Sequence, residues 1–125
     1  MSRLTKLEEL AVQDTAVIDL SPLARMTNLR ELSLRSTTVS DLSPLSNMTG
    51  LRMLFLADTQ VNDLFSPPAN LSNLDLLYLD RSQVDDLTPL VVLTGLTQLS
   101  LSGAPITDEQ ISDLQKVLPN CRITR

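Results

Sequence analysis

The chain has 125 residues, a formal net charge of −5 and no histidine. Without histidine, Ser-His and Cys-His catalytic pairs are excluded, and the three glycines form no phosphate-binding loop. The acidic balance is the opposite of the clustered Lys and Arg that bind nucleic acid or anionic membranes. Cys121, the only cysteine, lacks partners for a disulfide or a zinc site. We therefore expect no catalytic residue, metal, cofactor, nucleic-acid partner or membrane insertion.

An internal repeat accounts for most of the apolar residues. They recur in blocks that begin near Leu7, Leu29, Leu51, Leu74 and Leu96, a period of 22 residues with one step of 23. A fixed period in this range is typical of a solenoid, in which each repeat packs on its neighbours. We predict a single domain over residues 1–125, with these five repeats and a C-terminal cap over residues 107–125.

Each repeat begins with the pattern Leu-x-x-Leu-x-Leu, in which leucines alternate with other residues. The alternation predicts a short strand with one buried face, and strands that recur after a return path pair in parallel. A column of small residues follows the strands. We expect its hydroxyl groups to bond the backbone of their own and adjacent turns. The column comprises Thr15, Thr37, Thr59, Ser82 and Ala104.

An acidic column comes next, and a Ser-Pro or Thr-Pro pair follows it in four repeats. Such a pair places a capping hydroxyl before a proline at the first helical position, which predicts a short 3₁₀ turn on the outer side. A calcium-binding ladder is the alternative, but the alternating pattern of a calcium loop is absent. The extra residue near Phe65 predicts a bulge in the return path. The acidic residues are Asp19, Asp41, Asp63, Asp86 and Asp108.

The last unit departs from the repeat. Thr107 and Gln110 have the spacing of a capping box, which predicts a helix of about ten residues. Cys121 and Ile123 predict a final partial strand. At the other end, the strand that begins near Glu9 has no predicted partner on its outer edge, so it either follows further repeats or pairs with a second copy. The apolar face of the helix is predicted to comprise Ile111, Leu114, Val117 and Leu118.

With its repeated phrase Asp-Leu-Ser-Pro-Leu at 19–23 and 41–45, the chain resembles the bacterial leucine-rich repeat proteins, specifically those with internalin-like 22-residue repeats. The likeness covers residues 4–101, and residues 107–123 are similar to terminal units of such proteins. Thr or Ser replaces the commoner Asn ladder. The resemblance implies an α/β fold: a right-handed leucine-rich repeat solenoid with a parallel concave sheet, short 3₁₀ turns on the convex side, a C-terminal capping helix, and protein recognition on the concave side.

Two of the three aromatic residues fall on neighbouring strands of the predicted concave face. Phe55 and Tyr78 stand in register there, flanked by Met53 and Leu76, on a face that is otherwise polar. An apolar cluster of this kind is a candidate hot spot for protein binding. Cross-strand packing within the sheet, or contact with a second copy, would also explain it. The predicted polar rim consists of Arg35, Asp58, Asp80 and Arg81.

We therefore expect a non-enzymatic module that binds a protein or peptide on its concave face, as a scaffold or an effector. The alternative is a structural fragment of a larger repeat protein, an adhesin or effector, whose activity lies in other domains. A homodimer, formed through the concave patch or the N-terminal edge, is a further expectation. The start of the chain lacks the apolar segment of a secretory signal, so we expect a cytoplasmic protein or one exported without a cleavable signal.

Overall fold

The computed structural model describes residues 9–11, 28–39, 45, 48–61, 71 and 73–125. In this part of the chain, six strands form one sheet. A 3₁₀ helix spans Thr88–Val92, and an α-helix, α1, spans Asp108–Val117. The strands are β1 (Glu9–Ala11), β2 (Glu31–Ser33), β3 (Met53–Phe55), β4 (Leu76–Tyr78), β5 (Gln98–Ser100) and β6 (Arg122–Thr124).

The sheet is parallel throughout, and its strands follow the order of the chain. Met53 pairs with Leu76, one residue later than the 22-residue period alone would place it. The extra residue of the third repeat is therefore accommodated outside the sheet, whose register is preserved. The bulge predicted near Phe65 lies outside the described residues. These elements form the α/β repeat solenoid that the sequence predicts.

The core contains the middle residue of each strand together with the apolar residues of the return paths. Because successive side chains of a strand point to opposite faces, the two outer residues of each strand point away from the core. In the first and last of the described strands, Leu10 and Ile123 are only partly buried, since within the described residues each has a neighbouring strand on one side. The corresponding residues of the inner strands, all fully or almost fully buried, are Leu32, Leu54, Leu77 and Leu99.

Three members of the column of small residues behind the sheet are buried, namely Thr37, Thr59 and Ser82, and Ala104 is partly buried. Thr37 Oγ1 donates to Leu34 O, and Thr59 Oγ1 donates to Leu56 O, each at 2.7 Å. Each of these hydroxyls thus bonds the backbone of its own turn, not that of an adjacent turn as well. Ser82 is only 4% exposed, yet its Oγ has no hydrogen-bond partner among the described residues. The predicted column exists, but in this part of the chain it is not a continuous ladder.

The 3₁₀ helix is capped by a different residue from the one that the sequence predicts. Thr88 lies inside the helix, and Leu87 at the N-cap position makes no side-chain cap. Asp86 Oδ1 instead accepts from the backbone N–H of Thr88 at 3.0 Å and from its hydroxyl at 2.8 Å. The prediction of a Thr-Pro hydroxyl cap was therefore wrong, because the aspartate two residues earlier reaches the free N–H. The equivalent positions of the first three repeats lie outside the described residues.

The helix α1 begins at the predicted capping box. Thr107 Oγ1 accepts from Gln110 N at 3.2 Å, and Gln110 Oε1 accepts from Thr107 N at 2.8 Å. Leu114 and Leu118 are buried and Ile111 partly so, but Val117 is 52% exposed. The predicted apolar face is therefore buried only in part. Successive residues of a helix are about 100° apart, so Val117 lies to one side of the stripe that ends at Leu118.

Candidate functional site

The two central strands present four large apolar side chains on the face of the sheet away from the core, which we call the open face. Met53 pairs with Leu76, and Phe55 pairs with Tyr78. These side chains flank the buried Leu54 and Leu77 and are themselves only half-buried. We call Met53, Phe55, Leu76 and Tyr78 the aromatic patch. The structure thus brings together the four apolar residues that the sequence singles out.

The two aromatic rings of the patch are stacked. Their centroids lie 5.0 Å apart, and the ring planes differ by 6°. This separation is within the range of favourable aromatic pairs. Tyr78 also donates its hydroxyl to Gln98 Oε1 at 3.3 Å, which ties the ring to β5. Gln98 was not among the predicted site residues, although its place in the register next to Leu76 would have located it.

An ion pair crosses the turns that follow β3 and β4. Arg81 donates from Nε and Nη2 to the two carboxylate oxygens of Asp58, at 2.6 and 2.8 Å. The hydrogen bonds from Arg81 lower the pKa of Asp58, and the positive charge of Arg35 adds to the effect. The carboxylate is therefore ionised at neutral pH. Two of the predicted rim residues form one bidentate pair, and the third contributes to the same field.

The backbone of these turns explains where Arg81 lies. Ser36, Asp58 and Arg81 have φ between 55° and 59°, and Gly103 has φ of 77° at the same place in the next repeat. A Cβ on Gly103 would lie 2.9 Å from Cγ of Arg81, so the arginine side chain packs over the glycine. Sequence reasoning missed this left-handed column, because only one of its four members is a glycine.

Asp80, the fourth predicted rim residue, is engaged with the next repeat. Its Oδ1 accepts from the hydroxyl of Ser100 and, at 3.0 Å, from the backbone N–H of Ser102. This carboxylate therefore fastens the turn after β4 to β5 and the turn after it. Asp80, Asp58 and Arg81 therefore all make contacts between neighbouring repeats.

Shallow depressions lie on both sides of the stacked rings. One, of about 280 Å³, is lined by Glu9, Glu31, Ser33 and Phe55 among others. The other, of about 240 Å³, has Tyr78 as a wall and includes a cationic residue, Arg122. Both are smaller than the roughly 300 to 1,000 Å³ of small-molecule pockets.

The described part of the chain contains no group of three His, Cys, Asp or Glu side chains placed to hold a metal ion. In the same ranges, no helix has both the length and the apolar character needed to cross a bilayer.

Several solved structures are similar to this fold. Internalin C2 of Listeria monocytogenes superimposes with a TM-score of 0.87 and 34% sequence identity, over 97% of this chain and 52% of that protein. Internalin F of the same organism superimposes with a TM-score of 0.72 and 32% sequence identity, over 98% of this chain and 42% of that protein. The chain is a bacterial internalin-like leucine-rich repeat protein. It spans about half the length of internalin C2 and less of internalin F.

A leucine-rich repeat protein of Leptospira interrogans shares the fold, with a TM-score of 0.75 at 20% identity, over 98% of this chain and 38% of that one. No protein-family model and no curated protein sequence matches the chain. An internalin-like leucine-rich repeat is in general a protein-interaction module, and folds of this kind are typically binding scaffolds without catalytic activity.

Proposed function

We propose that this internalin-like protein binds a protein or peptide partner on the open, concave face of its sheet, with the aromatic patch as the main contact. The observation that carries the proposal is the stack of Phe55 and Tyr78 at the centre of that face. Aromatic side chains that are half-buried in the free protein offer a large apolar area to a partner at little further cost in side-chain entropy.

The surroundings of the patch support this use. Gln98 holds Tyr78, and the Asp58–Arg81 pair fixes one end of the rim, so the surface is organised before a partner arrives. The depressions beside the rings differ in charge, with Glu9 and Glu31 on one side and Arg122 on the other. Arg30 and Arg52 line a third depression together with Glu9 and Glu31, so a partner would meet charges of both signs beside the aromatic patch.

We also propose that residues 1–125 form one domain and that residues 107–125 cap it. The strand β6 pairs with β5, and α1 covers part of the core through Leu114 and Leu118. Gln115 Nε2 donates to Leu118 O and Cys121 O, at 2.9 and 2.8 Å, and so connects the end of α1 to β6. These contacts fit a terminal unit that closes a solenoid.

The proposal is tested with the double variant Phe55→Ala/Tyr78→Ala. Tagged wild-type and variant chains are used to capture proteins from lysates of the source bacterium and of host cells, and oligomeric state is measured by light scattering. We expect the double variant to lose a specific partner and to keep its circular dichroism spectrum, because both side chains lie outside the core. The matched control is Val92→Ala, which shortens an exposed apolar residue on the 3₁₀ helix.

Three outcomes would contradict the proposal. Equal capture by wild type and double variant would show that the aromatic patch is not the binding surface. Loss of a dimer instead of a partner would assign the patch to self-association. If neither protein captures anything or dimerises, the activity belongs to other domains of a longer adhesin or effector.

A further inference from the structure

A second surface lies between the 3₁₀ helix and α1, in the return paths and away from the open face. We call it the helix groove. Its volume is about 200 Å³, and its apolar walls are formed by Leu87, Val91, Leu114 and Val117. Val91 is 38% exposed and Val117 is 52% exposed. Two of the three large apolar residues that are well exposed in the described part of the chain therefore line one groove.

The charges that line the helix groove are of one sign. Asp86 and Asp113 stand on its rim, and no lysine or arginine is among the lining residues. Hydrogen bonds from the backbone and hydroxyl of Thr88 lower the pKa of Asp86, so its carboxylate is ionised at neutral pH. Both of those bonds go to Oδ1. In the described ranges, no ion pair involves either aspartate.

The size of the groove indicates what kind of molecule it accepts. Its volume is below the roughly 300 to 1,000 Å³ of small-molecule sites, so it suits one or two aliphatic side chains of a polypeptide. On α1, the lining residues Gln110, Asp113, Leu114 and Val117 recur at the spacing of one helix face. That face is about 10 Å long at 1.5 Å per residue, which is enough for two turns of a partner helix.

We propose that the helix groove docks a cationic, apolar segment of a partner protein. One or two Leu, Ile or Val side chains enter between Val91 and Val117, and a Lys or Arg on either side pairs with Asp86 or Asp113. Such a segment is complementary to the helix groove because the groove has an acidic rim around an apolar floor. A second copy of this chain fits less well, because two molecules of net charge −5 repel each other. The surface is separate from the aromatic patch, so the chain has room to bridge two partners.

Two synthetic peptides provide the test. Both are ten-residue helix formers with leucines at helical spacing, and they differ only in having Lys or Glu at the remaining positions. Titration of the ¹⁵N-labelled protein is followed by the amide shifts. We expect the lysine peptide to shift residues 86–92 and 110–118 and the glutamate peptide to shift none of them. Raising the salt concentration should weaken the binding, because exposed ion pairs are screened.

Variants separate the groove from general attraction to an acidic protein. Val117→Ser should weaken the lysine peptide at least about fivefold, and Asp113→Asn about two- to fivefold, the range measured for exposed ion pairs. Val92→Ser is the matched control: Val92 is 52% exposed on the same 3₁₀ helix but does not line the groove, so binding should not change. All of these residues are exposed, so the variants should keep the melting temperature of the wild type.

The proposal is overturned if the lysine peptide shifts residues over the whole acidic surface, or if Val92→Ser weakens binding as much as Val117→Ser. It is also overturned if the peptide shifts only the aromatic patch, or if light scattering shows a dimer that Val117→Ser dissociates. The variants used in these experiments leave Phe55 and Tyr78 unchanged. The proposal for the helix groove and the proposal for the concave face can therefore be contradicted separately.

Discussion

Thr59 and Ser82 occupy the same position in successive repeats, but their hydroxyls differ in what they contact. Thr59 Oγ1 bonds Leu56 O in its own turn, as Thr37 does one repeat earlier. Ser82 is equally buried, and its Oγ has no partner among the described residues. The β-branched threonine has few rotamers available, so its methyl group and hydroxyl are placed together. A buried hydroxyl without a partner retains the cost of its lost hydration.

This difference predicts opposite results for removing the two hydroxyls. Thr59→Val should lower the free energy of unfolding by about 1 to 2 kcal/mol, because a buried hydrogen bond is lost and Leu56 O is left without that donor. Ser82→Ala should be neutral or raise it by up to about 1 kcal/mol. Urea denaturation of both variants measures the effect. If Ser82→Ala destabilises the protein as much as Thr59→Val does, the hydroxyl of Ser82 has a partner and the interpretation is wrong.

At the level of single residues, the sequence predicted which positions carry hydrogen-bonding side chains but not which atom forms each hydrogen bond. The repeat placed a hydroxyl column behind the sheet and a hydrogen-bond-accepting oxygen before the 3₁₀ turn. Asp86 and Thr88 both offer an oxygen there, and their relative reach depends on backbone angles that the repeat pattern does not encode. For the same reason the left-handed backbone of Asp58 and Arg81 was not predicted, although both residues were predicted for the rim.

Among the elements, α1 has the most clearly encoded boundary. Its capping box satisfies backbone N–H groups at the first turn, and Gln110 Nε2 also donates to Asp85 O at 2.6 Å. The same side chain thus caps the helix and connects it to the preceding repeat. The start of α1 is therefore fixed both by local sequence and by contact with the solenoid.

Removing the N-cap side chain tests how much the stability of the first turn of α1 depends on Thr107. Thr107→Ala should lower the free energy of unfolding by about 1 kcal/mol, within the range of roughly 0.5 to 2 kcal/mol for such caps. Thr94→Ala is the control, since Thr94 lies exposed in a turn, and its effect should stay within about 0.5 kcal/mol. Thermal and urea denaturation measure both. An equal effect of the two substitutions would mean that tertiary contacts alone fix the start of α1.

The two candidate surfaces differ in how far the sequence could predict them. Phe55 and Tyr78 occupy equivalent positions of adjacent repeats, so the period alone places them side by side. The helix groove lies between the 3₁₀ helix of one repeat and α1 of the terminal unit. No periodic rule relates those elements, because α1 departs from the repeat. For this reason the sequence placed Val117 on the apolar face of α1 but did not predict the groove of which it forms a wall.

For the whole molecule, a solenoid implies that each strand is stabilised mainly by its immediate neighbours. The burial of the middle residue of each strand reflects how many neighbouring strands it has. Leu77 in β4 is covered on both sides and has no exposed surface, whereas Leu10 in β1 has one neighbouring strand and remains partly exposed. Burial therefore falls from the centre of the described sheet toward its ends. The contribution of the same residue type to stability should follow this order.

We accordingly predict that Leu77→Ala lowers the free energy of unfolding by about 3 kcal/mol, within the 2 to 5 kcal/mol range for buried leucines, and that Leu10→Ala costs less than about 2 kcal/mol. Leu76→Ala is the matched control, because Leu76 lies in the same strand as Leu77 but on the open face, and it should cost less than Leu77→Ala. Urea denaturation gives the three values. If Leu10→Ala lowers the free energy of unfolding as much as Leu77→Ala does, the outer side of β1 is covered as fully as the centre of the sheet. In that case the contribution of a leucine to stability does not decrease toward the ends of the described sheet.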